Sequence, residues 1–178
     1  MSLISYNGLI KLIEQGIIDA PFENVNGASI DITLDEGFMI ESKTNTNPVK
    51  LKNKETPCMV HVEGKSLVLP PKEFCLASSA ETFNLPNNIA AEYKLKSSLA
   101  RSGLQHMLAG WCDPGWYGSK LTLEFYNTLN FTELEIEAGM KIGQIVFYEC
   151  EPVPDDNSYA AKGQYNNQSG VTGSKGVR

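Results

Sequence analysis

Histidine is almost missing from this chain and cysteine is never clustered. Two histidines occur in 178 residues, His61 and His106, and the four cysteines, Cys58, Cys75, Cys112 and Cys150, are widely spaced. No C-x-x-C pair and no nearby histidine pair is present. A structural zinc site needs four clustered soft ligands, and a catalytic one usually three plus an open position, so no zinc and no side-chain metal cage are expected. The thiols read as small buried hydrophobes rather than a disulfide framework. A G-x-S-x-G elbow is also lacking, which removes the best-marked route to a nucleophilic serine. No apolar run reaches the length of a membrane span. The opening Met1-Ser2-Leu3-Ile4-Ser5-Tyr6 has neither the basic start nor the long apolar stretch of a secretory signal. Positive charge is in deficit too: fifteen basic residues against twenty-one acidic give a net charge of −6. That balance argues against a coat for duplex DNA, yet leaves room for a small basic pocket. A cytoplasmic protein with no nucleic-acid and no membrane partner is expected. With 42% hydrophobic residues, the chain can bury one proper core.

The pattern along the chain is mainly β. Ser5 is placed to cap one short amphipathic helix, Leu9, Ile10, Leu12 and Ile13 form its apolar stripe, and Gly16 can end it. After it come short strand-like runs at Ser29–Leu34, Ser66–Leu69, Phe74–Ala77, Ala91–Leu95, Leu121–Tyr126, Glu133–Ile136 and Ile142–Phe147. Turn residues such as Pro70-Pro71, Pro86-Asn87-Asn88 and Asp113-Pro114-Gly115 separate them. Many short strands at this spacing point to a barrel or jelly roll rather than to βαβ units. Lys43–Lys54 reads as a loop or irregular hairpin. Residues 1–154 form one β domain in this reading, and 155–178 a mobile polar tail. The tail is a frayed end or a segment that closes over a ligand; composition alone leaves both open.

Three clusters could carry chemistry. The first is Lys96-Ser97-Ser98-Leu99-Ala100-Arg101, after a strand and at the start of a short helix. Lys96 brings a mobile charge and Arg101 a planar fork suited to phosphate, and backbone N–H groups near Ser97 and Ser98 can attract anions. A capped surface helix with solvated charges accounts for the same residues. The second, Ala109-Gly110-Trp111-Cys112-Asp113-Pro114-Gly115-Trp116, is a turn with one carboxylate between aromatics, which serves a flat ligand or a plain hairpin equally well. The third is the strand Lys120–Asn127. Leu121, Leu123 and Phe125 share one face, and Thr122, Glu124 and Tyr126 the other. A glutamate so placed can have a raised pKa and relay protons, or can sit in solvent on the outer face.

Taken together and in order, these stretches resemble the dCTP deaminases of the dUTPase superfamily. The resemblance rests on Asn26-Gly27-Ala28-Ser29-Ile30-Asp31, Lys96–Arg101, Asp113-Pro114-Gly115-Trp116, Leu123-Glu124-Phe125-Tyr126-Asn127, Gly139-Met140-Lys141-Ile142-Gly143-Gln144 and Tyr165-Asn166-Asn167-Gln168-Ser169-Gly170. It implies a distorted jelly roll of the dUTPase-like type, assembled as a homotrimer with active sites between subunits. It implies Glu124 as general base and acid, with Ser97 and Arg101 beside the base and the attacking water. Lys96, Ser97 and Ser98 are implied at the phosphates, Asp113 at the deoxyribose 3′-OH, and the backbone of Thr122, Leu123 and Glu124 at the pyrimidine edge. Gln144, Tyr165 and Gln168 resemble positions around the nucleotide, with the tail closing over the active site. The substrate implied is dCTP, with dUTP as a second; magnesium arrives bound to the triphosphate. Water attack at C4 without a zinc signature leaves Glu124 as the proton shuttle.

Three departures mark this chain. Ala109-Gly110-Trp111 is similar to bifunctional members that also cleave the phosphate chain to dUMP, whereas Pro114-Gly115-Trp116 and Glu124-Phe125-Tyr126-Asn127 are similar to dUTP-forming members. The expectation leans slightly to dUMP. The run Gly118–Glu124 is one residue longer than the family pattern, so a bulge is expected near Ser119-Lys120. The tail lysine before Tyr165 is here Gln164; Lys162 is expected to substitute for it and Tyr159 to fill an earlier tyrosine position. Two other functions fit the same fold: a dUTP diphosphatase without deamination, and a non-catalytic nucleotide-binding regulator.

Overall fold

Alternating apolar residues dominate the sequence after its first helix. The computed structural model, which describes residues 1–44 and 47–177, turns them into an antiparallel β fold. In chain order the elements are β1 (Ser2–Leu3), α1 (Tyr6–Glu14), β2 (Ile30–Thr33), β3 (Phe38–Glu41), β4 (Met59–Val62), β5 (Ser66–Leu69), β6 (Phe74–Asn84) and β7 (Ile89–Leu95). There follow α2 (Ser97–Arg101), β8 (Leu104–His106), β9 (Trp111–Cys112), β10 (Tyr117–Asn127), β11 (Leu134–Glu137), β12 (Lys141–Glu149) and α3 (Tyr159–Lys162). One sheet runs β1-β12-β7-β9, with β2 also paired to β12; the other runs β4-β3-β6-β10-β8. A small β11-β5 pair completes the set. This is the expected mainly β, jelly-roll arrangement. Among the described residues no helix is long and apolar enough to cross a membrane.

The inner faces of the sheets supply the core. Ile30, Ile32, Phe38, Phe83, Phe125, Ile145 and Phe147 are fully buried, and α1 adds Leu9 and Leu12. Ser5 does occupy the N-cap position of α1, but its side chain makes no capping bond. Its backbone carbonyl instead accepts the N–H groups of Gly8 and Leu9 at 2.8 and 3.0 Å. Ile10 and Ile13 are half-buried, and Gly16 follows the helix at φ +69°.

Each of the seven strand-like runs falls on a strand, while β1, β3, β4, β8 and β9 lie outside them. Of the stretch 43–54, residues 45 and 46 lie outside the described residues; the rest belongs to the connection of the antiparallel β3–β4 pair, with a 3₁₀ turn at Leu51–Asn53. Two register shifts flank the position of the expected bulge, one between Tyr117 and Ser119 and one between Lys120 and Thr122, where the partner moves from Thr82 to Ser78. Tyr117 pairs with Asn84 and Ser119 with Phe83, so Gly118 is the extra residue, at φ +63°. A side chain there would be strained by that φ, and its Cβ would stand 2.6 Å from the Asn167 side-chain oxygen. From Thr122 onward β10 pairs regularly with β6, as far as Tyr126 opposite Phe74.

Candidate active site

The regular half of β10 decides where Glu124 points. Leu121, Leu123 and Phe125 are 8%, 1% and 0% exposed, so Thr122, Glu124 and Tyr126 take the opposite face. On that face lies a cavity of about 450 Å³, into which Glu124 and Thr122 project. Its walls are largely apolar: Met59 of β4, Phe74 and Leu76 of β6, and Trp111 and Trp116 from either side of the Asp113 turn. Asp113 lines it as well, accepting the Trp111 indole N–H at 2.9 Å. Asp113 and Glu124 are both acidic, and among the described residues no lysine, arginine or histidine joins them in the lining.

Burial raises the Glu124 pKa from 4.5 to about 7; the opposing influence is a bond from its own backbone N–H. Its carboxylate makes no ion pair among the described residues. A carboxyl group poised near neutrality can both take and give a proton. Its backbone is fixed too, since the Met107 N–H donates to the Glu124 carbonyl at 3.1 Å. Behind the strand, the Tyr93 phenol is pushed up by burial first and by Glu124 second. Tyr93 donates to the Ile142 carbonyl at 3.2 Å and meets His106 edge-on, with ring centroids 4.8 Å apart. Gly143 makes room for that ring, since a Cβ there would lie 2.1 Å from it.

The C-terminal segment forms the remaining wall. Trp116 donates its indole N–H to the Tyr165 carbonyl at 2.7 Å, the Lys120 N–H donates to the Gln168 carbonyl at 2.8 Å, and the Thr172 N–H donates to Thr122 Oγ1 at 3.2 Å. Tyr159, Tyr165 and Gln168 all line the cavity. Gln168 is 7% exposed, and its buried Nε2 donor has no partner among the described residues. An unmet donor facing a cavity is a place for a ligand oxygen.

The residues singled out in the sequence therefore separate into two groups. Asp113, Thr122, Glu124, Tyr159, Tyr165 and Gln168 meet at the cavity. Lys96, Ser97, Ser98, Arg101 and Gln144 are absent from its lining. Lys96 instead binds Asp31 at 2.6 Å, Gln144 lies 3.3 Å from Ser29 Oγ, and Ser97, Ser98 and Arg101 are exposed on α2. Leu123 turns its side chain into the core, and only its backbone can serve a ligand. Lys162 reaches the Asn157 side-chain oxygen rather than the cavity. The Gln164 carbonyl is taken by Lys175 Nζ at 2.7 Å, and that ammonium lies 5.2 Å from the Tyr165 ring centroid. Sequence reasoning missed the walls from Pro57, Met59, Phe74 and Leu76 and the tail residues Thr172, Gly173 and Ser174. No motif marked these; Trp111, beside Asp113 in the second cluster, was the one visible signal.

Comparisons with known proteins show the family. A family model described as dCTP deaminase-like matches residues 3–150. Over 184 residues the chain is 32% identical to the "dCTP deaminase, dUMP-forming" of Dictyoglomus thermophilum, covering 97% of this chain and 94% of that protein. It is 37% identical over 164 residues to the protein of the same name from Mycobacterium tuberculosis, covering 87% and 85%. The solved structure of 2′-deoxycytidine 5′-triphosphate deaminase from Agrobacterium tumefaciens matches with a TM-score of 0.64 over 88% of this chain. Sequence identity there is 16% and the match spans 51% of that protein, so the likeness is one of fold.

Proposed function

The chain belongs to the dCTP deaminase-like family, and from that premise we propose that it is an enzyme that deaminates dCTP and cleaves the same nucleotide to dUMP and diphosphate. The observation that carries this reading is Glu124, a carboxyl group with a pKa near 7 facing an otherwise mostly apolar cavity sized for a small ligand. Glu124 takes a proton from water as the C4–O bond forms. It passes that proton to N3, then takes the proton of the new C4 hydroxyl and gives it to the exocyclic nitrogen, so that the C4–N bond breaks, C4=O forms and ammonia leaves. A second water then breaks the anhydride bond between the α- and β-phosphates. The dUMP-forming names of the curated relatives support the second step, as does Ala109-Gly110-Trp111.

The site is shared between copies of the chain. A triphosphate carries several negative charges, and among the described residues the charged lining of the cavity, Asp113 and Glu124, does not offset them. Lys96, Ser97, Ser98 and Arg101 supply that chemistry from the exposed α2 of a neighbouring copy in a homotrimer, with Gln144 beside them. Asp113 receives the 3′-OH, the backbone at Thr122–Glu124 reads the base edge, and Tyr159, Tyr165 and Gln168 close the cavity. Lys162 and Gln164 stay outside this assignment. Magnesium comes as the counter-ion of the triphosphate; among the described residues no three His, Cys, Asp or Glu side chains are grouped to hold one. The setting is the cytoplasm.

The test is incubation of the protein with dCTP and magnesium, followed by ammonia assay and nucleotide chromatography. Ammonia together with dUMP and diphosphate is the expected result. Accumulating dUTP removes the cleavage step, and hydrolysis of dUTP without ammonia from dCTP leaves a dUTP diphosphatase. Binding with no product leaves a regulator.

A further inference from the structure

Beside α2, three side chains from different elements meet on one carboxylate. Asp31 of β2 is 5% exposed; its Oδ1 accepts from Lys96 Nζ at 2.6 Å and its Oδ2 lies 3.2 Å from Lys141 Nζ. Asn26 Nδ2 donates to Oδ1 as well, at 2.9 Å. The carboxylate is shielded, but the Lys96 and Lys141 side chains are 29% and 46% exposed. One buried charge thus holds two ammonium groups that both reach solvent. A single Asp–Lys pair would satisfy the carboxylate; the second lysine leaves a local surplus of positive charge on a chain of net charge −6. Fixing two flexible side chains on one anchor lowers the ordering entropy that a multiply charged anion would otherwise have to overcome. Arg101 stands on the neighbouring α2 and makes no ion pair among the described residues.

We propose that Lys141 is a further phosphate-binding residue for the triphosphate, and that Asp31 is the positioning residue that holds it beside Lys96. The proposal rests on the reading of this chain as an enzyme acting on a nucleoside triphosphate at a site shared between copies. Asp31 touches no substrate and acts through its two lysines. A purely structural role for the triad would affect folding stability and leave ligand affinity alone.

Binding separates the two, because it needs no turnover. Calorimetry on the full-length protein with inorganic tripolyphosphate, dCTP and deoxycytidine reads the phosphate and the nucleoside independently. Lys141→Ala is expected to weaken tripolyphosphate and dCTP about tenfold and to leave deoxycytidine within about twofold. Lys141→Arg is expected to recover most of the loss. Unchanged triphosphate affinity, an equal loss for deoxycytidine, or no tripolyphosphate binding by the wild type overturns the proposal. Asp31→Asn distinguishes geometry from charge: it keeps both lysines and raises the net positive charge, yet positioning predicts weaker triphosphate binding. Tighter binding would refute the positioning role. If Asp31→Asn does not fold, the Lys141 pair still decides the binding role. Ammonia release from dCTP is measured in parallel. Its absence from a wild type with Lys141-dependent tripolyphosphate binding removes the deaminase reading alone, and normal release with Lys141-independent binding removes this proposal alone.

Discussion

Trp116 and Tyr165 are joined by a 2.7 Å bond from the indole N–H to the backbone carbonyl, and this bond fastens the polar C-terminal segment to the residue that leads into the Glu124 strand. Ser119 Oγ donates to the same carbonyl at 3.1 Å. The wall of the cavity and the strand bearing its acid are thus one hydrogen-bonded unit, although 49 residues separate the partners.

Trp116→Phe keeps an aromatic ring against Phe83 but removes the donor. One lost bond of this kind costs about 1 kcal/mol. The expected result is faster protease cleavage within residues 155–177 and a KM for dCTP raised severalfold, with kcat largely kept. Truncation after Pro154 goes further and should cut diphosphate release at least as severely as ammonia release. Product ratios from the truncated chain, separated by chromatography, check this.

Glu124→Gln preserves size and removes the titrating proton. Deamination is expected to fall roughly 10²–10⁴-fold, with dCTP binding retained. Ammonia release close to wild type would reassign the base.

The pKa of Glu124 sets two pH dependences. In the proposed mechanism the carboxylate form takes the proton from water, so kcat/KM should rise with pH through about 7. Stability runs the other way. The folded chain holds the Glu124 proton up to about 7, whereas an ordinary glutamate loses it near 4.5, so this group makes the protein less stable as pH rises between those values. Glu124→Gln should therefore melt higher than wild type at pH 8, and that advantage should vanish below pH 4.5. Melting curves at both ends measure it; a difference independent of pH contradicts the assignment.

The proposed shared site predicts that inactive chains complement each other. Glu124→Gln and Arg101→Ala are each expected to be nearly inactive alone. Co-assembled in equal amounts, they should recover roughly a quarter of wild-type activity, because about that share of sites unites two intact halves. No recovery in verified mixed assemblies would put Arg101 and Glu124 in the same copy or Arg101 outside the site.

The sequence displayed some of these features and concealed others for identifiable reasons. Leu121–Tyr126 alternates strictly, so its strand and the face that Glu124 shares with Thr122 and Tyr126 were legible, but whether that face meets a cavity or solvent was not. Leu104–His106 and Trp111–Cys112 are too short to show a period, and β3 begins with Phe38 and Met39, both buried. Lys162, expected to replace a missing lysine, lies on Asn157 in this structure, while Lys175 reaches the Gln164 carbonyl from eleven residues away by folding back. Polar segments that dock through backbone bonds leave no hydrophobic pattern to read. Pro57, Met59, Phe74 and Leu76 come to the cavity through strand pairing and loop approach, which local spacing does not encode.

The Gly118 bulge separates two ways of counting along β10. Side chains alternate, so a strand anchored only at its start would turn Glu124 away from the cavity whenever one residue was gained or lost upstream. Here the pairing from Thr122 to Tyr126 is anchored on β6 at the far end, and the irregularity is taken up upstream, at Gly118 with φ +63° and at the second shift between Lys120 and Thr122. The chemistry takes its phase from downstream. Length in the turn before Ser119 is therefore free to drift between relatives without inverting the acid, whereas a single insertion between Thr122 and Glu124 would silence it.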